Sequence, residues 1–335
     1  MKLLILGGTR FLGRHIAEQA LARGDQVTLL HRGRSGPQLF PQAEHLIADR
    51  DADLSALQGR QWDVAIDTSA YFPRQVRAVA AVLAGQVGQY QLVSSISVYA
   101  GHPADGNHED SPRAVLADPE VQVVDGATYG GLKALCEDAA VAAFGAAQAL
   151  IVRPGLIVGP FDPTGRFSWW VQRLQRGGEV LAPGDPSAPA QFIDARDLAA
   201  WMLLQKAPAP AGAFHPRAGV FNLNGPVAPL TMGGFLDAAR ATLAPTARLK
   251  WIDEAALLAA GVKPWSDLPV WLSTPDHGMH RTQIGRAVAT GLVTRAVADT
   301  VRDTAAWLAH AEPVAAGRPA VGLEPAREAA LLARR

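Results

Sequence analysis

A single cysteine stands among 335 residues, which excludes a disulfide framework and any cysteine-built metal cluster. An excess of either charge is missing too, because 31 Lys and Arg balance 31 Asp and Glu. Without a basic surplus there is no electrostatic footprint for nucleic acid or an anionic membrane, and neither partner is expected. Long hydrophobic runs are absent: no window holds eighteen uninterrupted apolar residues, so no membrane span is expected. The first apolar run starts at Leu3 and ends in glycines, unlike a secretory leader, which makes a cytoplasmic protein the expectation. Internal repeats and low-complexity tracts are lacking as well. What remains, 49% hydrophobic and 19% charged, is the composition of a globular chain long enough for about two domains.

Short apolar runs alternate with helical stretches through the first half. Lys2 to Leu6 reads as a strand that stops at Gly7-Gly8, and Phe11 to Arg23 has apolar residues at helical spacing, closed by Gly24. Further strands are expected at Val27–Leu30, His45–Ala48, Val64–Ile66, Gln91–Ser94 and Ala149–Val152, with helices from Pro73 and over Thr128–Phe144. The strands are apolar throughout rather than alternating, as when helices cover both faces. The pattern predicts an α/β fold, a Rossmann-type doubly wound parallel sheet. Residues 1–165, rejoined by 188–225, should form the dinucleotide-binding domain, and 166–187 with 226–312 a smaller substrate lobe. Helices are expected over Ser168–Arg176 and Asp194–Gln205, and a strand over Val220–Leu223. Residues 313–335 read as a tail, a Pro/Gly/Ala stretch followed by a short helix from Glu324.

Gly7, Gly8, Thr9, Arg10, Phe11, Leu12 and Gly13 join the first strand to the first helix. Glycines there permit a tight turn and close approach of a pyrophosphate, which the helix N-terminus then binds with free N–H groups and its positive dipole end. Arg10 stands where a third glycine is usual. The second strand ends in Leu30-His31-Arg32-Gly33-Arg34, with no acid to accept from a ribose 2′-hydroxyl. Arginines pair with a 2′-phosphate where a carboxylate would repel it, so Arg10 and Arg32 point to NADP, with NAD the alternative.

Tyr129 and Lys133 open the long Ala-rich helix at i, i+4 spacing, on one face. A lysine ammonium beside a phenol favours the phenolate and so equips the tyrosine for acid/base work. The fifth strand ends in Ser94-Ser95-Ile96-Ser97-Val98-Tyr99, which would present hydroxyls where open α/β sheets bind ligands.

Taken together, the glycine turn, the serine-rich strand end, Tyr-Gly-x-x-Lys, the segment Arg153-Pro154-Gly155-Leu156-Ile157-Val158-Gly159-Pro160 and the segment Gln191-Phe192-Ile193-Asp194 resemble the extended short-chain dehydrogenases/reductases, the NAD(P)-dependent epimerase/dehydratase group. The resemblance covers roughly residues 1 to 310. It implies that Ser95 is the catalytic hydroxyl, Tyr129 the acid/base, and Lys133 its partner and a ribose ligand, with Ser97 the runner-up hydroxyl. It further implies that Asp49 faces the adenine, that Ser69 and Ala70 lie along the cofactor, and that Pro154 sits beside the nicotinamide. Sugar-nucleotide members often carry an arginine directly before the Phe-Ile pair, where this chain has Gln191.

Arg166 is the candidate cation for an anionic substrate group, and His280, in Asp276-His277-Gly278-Met279-His280, a candidate wall of the substrate cleft. Two histidines three apart without a clustered third ligand make no metal site, and no metal is expected. The leading expectation is an NADP-dependent carbonyl reductase or alcohol dehydrogenase acting on a small to medium organic molecule. The alternative is an NAD-dependent sugar-nucleotide epimerase, and a further one a non-catalytic dinucleotide-sensing or RNA-binding relative. Leu135, Ala139, Ala142 and Ala143 give the Tyr129 helix a second face of small apolar residues, from which a homodimer is expected.

Overall fold

Apolar runs flanked by glycine turns become buried strands in the computed structural model, which describes residues 1–205, 218–311 and 321–334. The strands are β1 (Lys2–Leu6), β2 (Gln26–His31), β3 (Glu44–Ile47), β4 (Val64–Asp67), β5 (Tyr90–Val93), β6 (Ala149–Pro154), β7 (Ile157–Val158), β8 (Glu179–Pro183), β9 (Ile193–Asp194), β10 (Gly219–Leu223) and β11 (Arg248–Ile252). Seven of them form one parallel sheet in the order β10-β6-β5-β4-β1-β2-β3. The order reverses between β1 and β4, and at such a switch point the carboxyl ends of the strands open a crevice for a ligand. This is the Rossmann-like sheet that the strand–helix alternation predicts.

The helices are α1 (Phe11–Ala22), α2 (Pro73–Leu83), α3 (Tyr129–Phe144), α4 (Arg166–Gln175), α5 (Ala195–Leu204), α6 (Met232–Leu243), α7 (Glu254–Ala259), α8 (Gly285–Ala289), α9 (Val297–Leu308) and α10 (Pro325–Leu332). On one face of the sheet, Ile16 and Ala20 of α1 pack with Leu198, Trp201 and Met202 of α5. On the other, Val76, Val79 and Leu83 of α2 meet Cys136, Ala140 and Phe144 of α3. Phe144 stacks on Tyr90 with centroids 4.2 Å apart. Cys136 is fully buried there, and burial pushes its thiol up to about 11, away from the thiolate at neutral pH.

The second lobe has its own core, built from Phe167, Trp170, Phe192, Phe235 and Trp271. Each such side chain contributes roughly 1.5–3 kcal/mol when fully buried. Helix α4 starts at Arg166, two residues before the expected Ser168, because Gly165 turns the chain at φ 76° immediately ahead of it. Residues 321–334 include the short helix expected from Glu324, here α10, and it packs on this lobe. Leu323 and Leu331 enter the lobe core, and buried Glu328 accepts from Arg173 Nε (2.5 Å) and Leu181 N (3.1 Å). The stretch from 312 to 320 lies outside the described residues.

Candidate active site

The glycine turn is closed by contact rather than by looseness. A Cβ on Gly13 would stand 2.2 Å from the Gly7 carbonyl oxygen, so only glycine lets α1 begin directly over the end of β1. Helix α1 has no side-chain cap and no acid in its first turn. Its leading N–H groups therefore lack intrahelical acceptors and face the crevice at the positive end of the helix. Thr9, Leu12 and Gly13 are buried, Phe11 is half-buried, and Arg10 at the cap position is exposed. Open amides at the end of a tight glycine turn, with no acid beside them, fit a dinucleotide pyrophosphate.

At the end of β2 the basic run divides in two. His31 is buried, its Nε2 2.8 Å from His45 Nδ1, while its Nδ1 accepts from Gly33 N. Arg32 and Arg34 are exposed. Beyond β3, the Asp49 carboxylate accepts from Asp51 N. The next residue escaped sequence reasoning: Arg50 is bidentate to Asp67 at 2.7 Å, and its NH1 also reaches Ser69 Oγ at 3.0 Å. Tyr90 donates to the same carboxylate at 2.7 Å. Asp67 is wholly buried, yet Arg50 and these hydrogen bonds outweigh the burial and hold its carboxyl below the ordinary range. Ser69 and Ala70 thus sit above a buried ion pair.

The hydroxyls expected to be catalytic lie where β5 ends. Ser95 Oγ accepts from Ser97 N and donates to Ser97 Oγ, both at 3.1 Å, and so shapes the turn. Tyr129, the first residue of α3, pairs its side chain with Ser95. A Cβ on Gly130 would lie 2.0 Å from the Ser97 carbonyl oxygen, so the glycine after the tyrosine is what brings α3 onto the serine turn. Burial pushes the Tyr129 phenol up, and the bond to Ser95 offsets part of that rise. Lys133 lies one turn further on, fully buried, with Nζ 2.8 Å from Ala70 O and 2.5 Å from Val93 O. Burial lowers its pKa. The ammonium is gripped by carbonyls beyond β4 and at the end of β5, and no hydrogen bond joins it to Tyr129 among the described residues.

A second buried ion pair supports this corner and was also missed. Glu137 accepts from Ser94 Oγ (2.6 Å), Arg153 Nε (2.8 Å) and Arg153 NH2 (2.6 Å). Arg153 NH1 continues to Tyr99 Oη at 3.1 Å, and Tyr99 donates to Asn222 Oδ1 at 2.6 Å. The residues flanking Ser95 and Pro154 are thereby tied to α3 and β10. The available signal was Glu137 itself, an acid at i+4 from Lys133 on an otherwise apolar face.

Of the candidate substrate residues, Ser97 joins the hydroxyl cluster. Arg166 is half-buried, its guanidinium 5.3 Å over the Trp265 ring, and burial lowers its pKa against the opposing charge of Asp162. His280 is a correction. It is 5% exposed, its Nδ1 accepts from Gln191 N (3.1 Å), and its Nε2 lies 2.6 Å from Val270 O. Burial drives its pKa down to about 4. Both ring nitrogens are engaged, so His280 joins segments of the second lobe and does not face a substrate. Gln191 is spent in the same way, donating to Thr282 O (2.9 Å) and accepting from Asn224 Nδ2 (2.8 Å). No metal-binding cluster of His, Cys, Asp or Glu occurs among the described residues, and no helix among them is long and apolar enough to cross a membrane.

The family model for the NAD dependent epimerase/dehydratase family matches residues 3–212. The chloroplast stem-loop binding protein of 41 kDa b from Arabidopsis thaliana is 27% identical over 214 residues, 59% of this chain and 53% of that one. The chain therefore spans about half the length of that relative. UDP-glucuronic acid 4-epimerase from Bacillus cereus, solved with NAD, superposes with a TM-score of 0.64 at 15% identity, over 92% of this chain and 99% of that one. The Bordetella bronchiseptica enzyme WbmH, solved with NAD+, gives 0.64 at 18% identity over 92% and 98%. At these identities the structural likeness establishes the fold.

Proposed function

The chain belongs to the NAD dependent epimerase/dehydratase family, and from that premise we propose that it is an epimerase-type enzyme that oxidises and re-reduces one alcohol carbon of a nucleotide-linked sugar or similar ringed alcohol. The observation that carries the reading is the convergence of Ser95, Tyr129 and Lys133 at the carboxyl end of β5, two strands across the same sheet from β1 and the open amides of α1. A nicotinamide dinucleotide bound there supplies the hydride acceptor and donor. Phe11, Leu12 and Gly13 would hold its pyrophosphate, with Ser69, Ala70 and Pro154 alongside. Tyr129 takes the proton from the substrate hydroxyl and returns it, while Ser95 hydrogen-bonds the same oxygen and stabilises its developing charge. Lys133 places a positive charge behind that exchange. The family match and the NAD-bound epimerase among the similar folds support this reading better than the NADP-linked carbonyl reductase that led from the sequence.

Exposed Arg32 and Arg34, with no acid at the end of β2, support NADP; the NAD-bound neighbours support NAD. The similarity to a stem-loop binding protein supports a second reading, a dinucleotide-binding protein without catalysis. Exposed Val141 and Ala142 on α3 support a homodimer, although Ala139 of the expected face is buried in the subunit's own core. Protein denatured after purification should release a nicotinamide dinucleotide, and the native protein should interconvert UDP-sugars. Tyr129→Phe should reduce that turnover more than a hundredfold with NADH affinity unchanged. A Tyr129→Phe protein that keeps over a tenth of wild-type activity overturns the acid/base role. Inactivity towards every UDP-sugar, together with retained RNA, favours the second reading.

A further inference from the structure

Tyr71 drew no attention in the sequence, yet its place in the structure is specific. It follows Ser69 and Ala70 beyond β4, and its side chain is 48% exposed. Its backbone is nonetheless fixed, because the Gln75 Oε1 accepts from Tyr71 N (2.9 Å) and Phe72 N (3.2 Å), and the Gln75 amide is itself anchored on Asp51. The ring centroid stands 6.4 Å from that of Tyr129, tilted by 46°, and 5.8 Å from Lys133 Nζ. No hydrogen bond engages the Tyr71 hydroxyl among the described residues. A ring carried on a fixed stretch of backbone, half out in solvent, and whose neighbours are Tyr129 and Lys133, offers a flat apolar face to the reaction site. Ser95, Ser97 and Tyr129 supply hydroxyls there. Hydroxyls beside a bare aromatic face match a ringed polyol, which is polar at its edge and apolar on its C–H face.

We propose that Tyr71 is a specificity-determining residue: its ring is the wall against which a cyclic substrate, a pyranose or a similarly ringed alcohol, lies while a ring hydroxyl faces Tyr129. The inference rests on the role of Tyr129 proposed above. The chain holds four tyrosines, so tyrosine labelled with carbon-13 at the ring Cζ gives four signals, assigned with Tyr71→Phe and Tyr129→Phe. The NAD-loaded protein is titrated with UDP-glucose, with methyl β-glucopyranoside as a ringed probe lacking the nucleotide, and with acyclic 2-butanol.

Both ringed probes should move the Tyr71 and Tyr129 signals together and leave those of buried Tyr90 and Tyr99 in place. Tyr71→Ala should weaken UDP-glucose at least tenfold and Tyr71→Phe less than threefold, with NADH affinity unchanged in both. Tyr71→Leu keeps bulk without a flat face and should fall between them, guarding against a folding defect in the alanine variant. A shift of Tyr129 without Tyr71, or wild-type UDP-glucose affinity in Tyr71→Ala, overturns this inference and leaves the reading of Tyr129 intact. Ringed probes that move neither signal overturn both.

Discussion

Arginine serves opposite purposes at the two ends of the sheet crevice. On the β1–β2 side, Arg10, Arg32 and Arg34 are exposed, and none makes a side-chain hydrogen bond or ion pair among the described residues. On the β4–β6 side, Arg50, largely covered, and buried Arg153 are bidentate to Asp67 and Glu137. One side leaves its cations without a partner among the described residues, and the other uses them to tie strand ends together. Pairing, rather than residue type, separates an arginine that is free to meet a ligand from one that builds.

The most severe way to break this contrast is to strip a buried arginine of its partner. Glu137→Ala leaves Arg153 uncompensated, and breaking a buried pair costs about 3–5 kcal/mol. A large drop in denaturant midpoint is expected, whereas removal of exposed Arg32 should leave the midpoint unchanged. Equal midpoints for the two variants would dissolve the distinction.

The second lobe supplies a neutral counterpart in His280. Its folded pKa is about 4, below the ordinary 6.5. The unfolded chain therefore binds the proton first. The stability that His280 contributes is complete above pH 6.5 and is lost as pH falls towards 4. Two and a half units correspond to roughly 3 kcal/mol. Thermal melts of the wild type should weaken over that window, and His280→Asn should flatten that part of the curve. A slope unchanged in the variant would show that another group titrates there.

The smallest effect is expected on the open side. Losing one charged hydrogen-bonded contact costs roughly 1.5–3 kcal/mol, so Arg32→Ala should weaken NADPH about tenfold or more while NADH binding stays the same. Equal losses for both would remove Arg32 from the 2′-phosphate.

The arginine contrast also explains what could be read from sequence. Gly7 to Gly13, Ser95 and the Tyr129/Lys133 spacing are local signals, each contained within one turn or one helix, and they pointed to the crevice and to the corner proposed above for the reaction. Arg50–Asp67 and Arg153–Glu137 are sixteen or more residues apart and become pairs only once strands are ordered. His280 failed for a related reason. Its partners, Gln191 and Val270, come from separate parts of the second lobe, so a loop histidine that reads as polar lining is a buried crosspiece. Tyr71 left no periodic or motif signal, because its significance lies in a neighbour fifty-eight positions away.

The docking of α10 carries a consequence for the order in which the protein is made. Glu328 satisfies Arg173 and the backbone of β8, Lys250 of β11 donates to Leu332 O at 2.6 Å, and Leu323 and Leu331 fill the same core. A ribosome emits β1 to β6 well before these residues, and those six strands find all their mutual pairings within residues 2–154. The second lobe must wait some 150 residues after α4 for its closing piece. During synthesis the sheet of β1 to β6 should become protease-resistant first, with Trp169 and Arg173 still accessible until α10 docks on them.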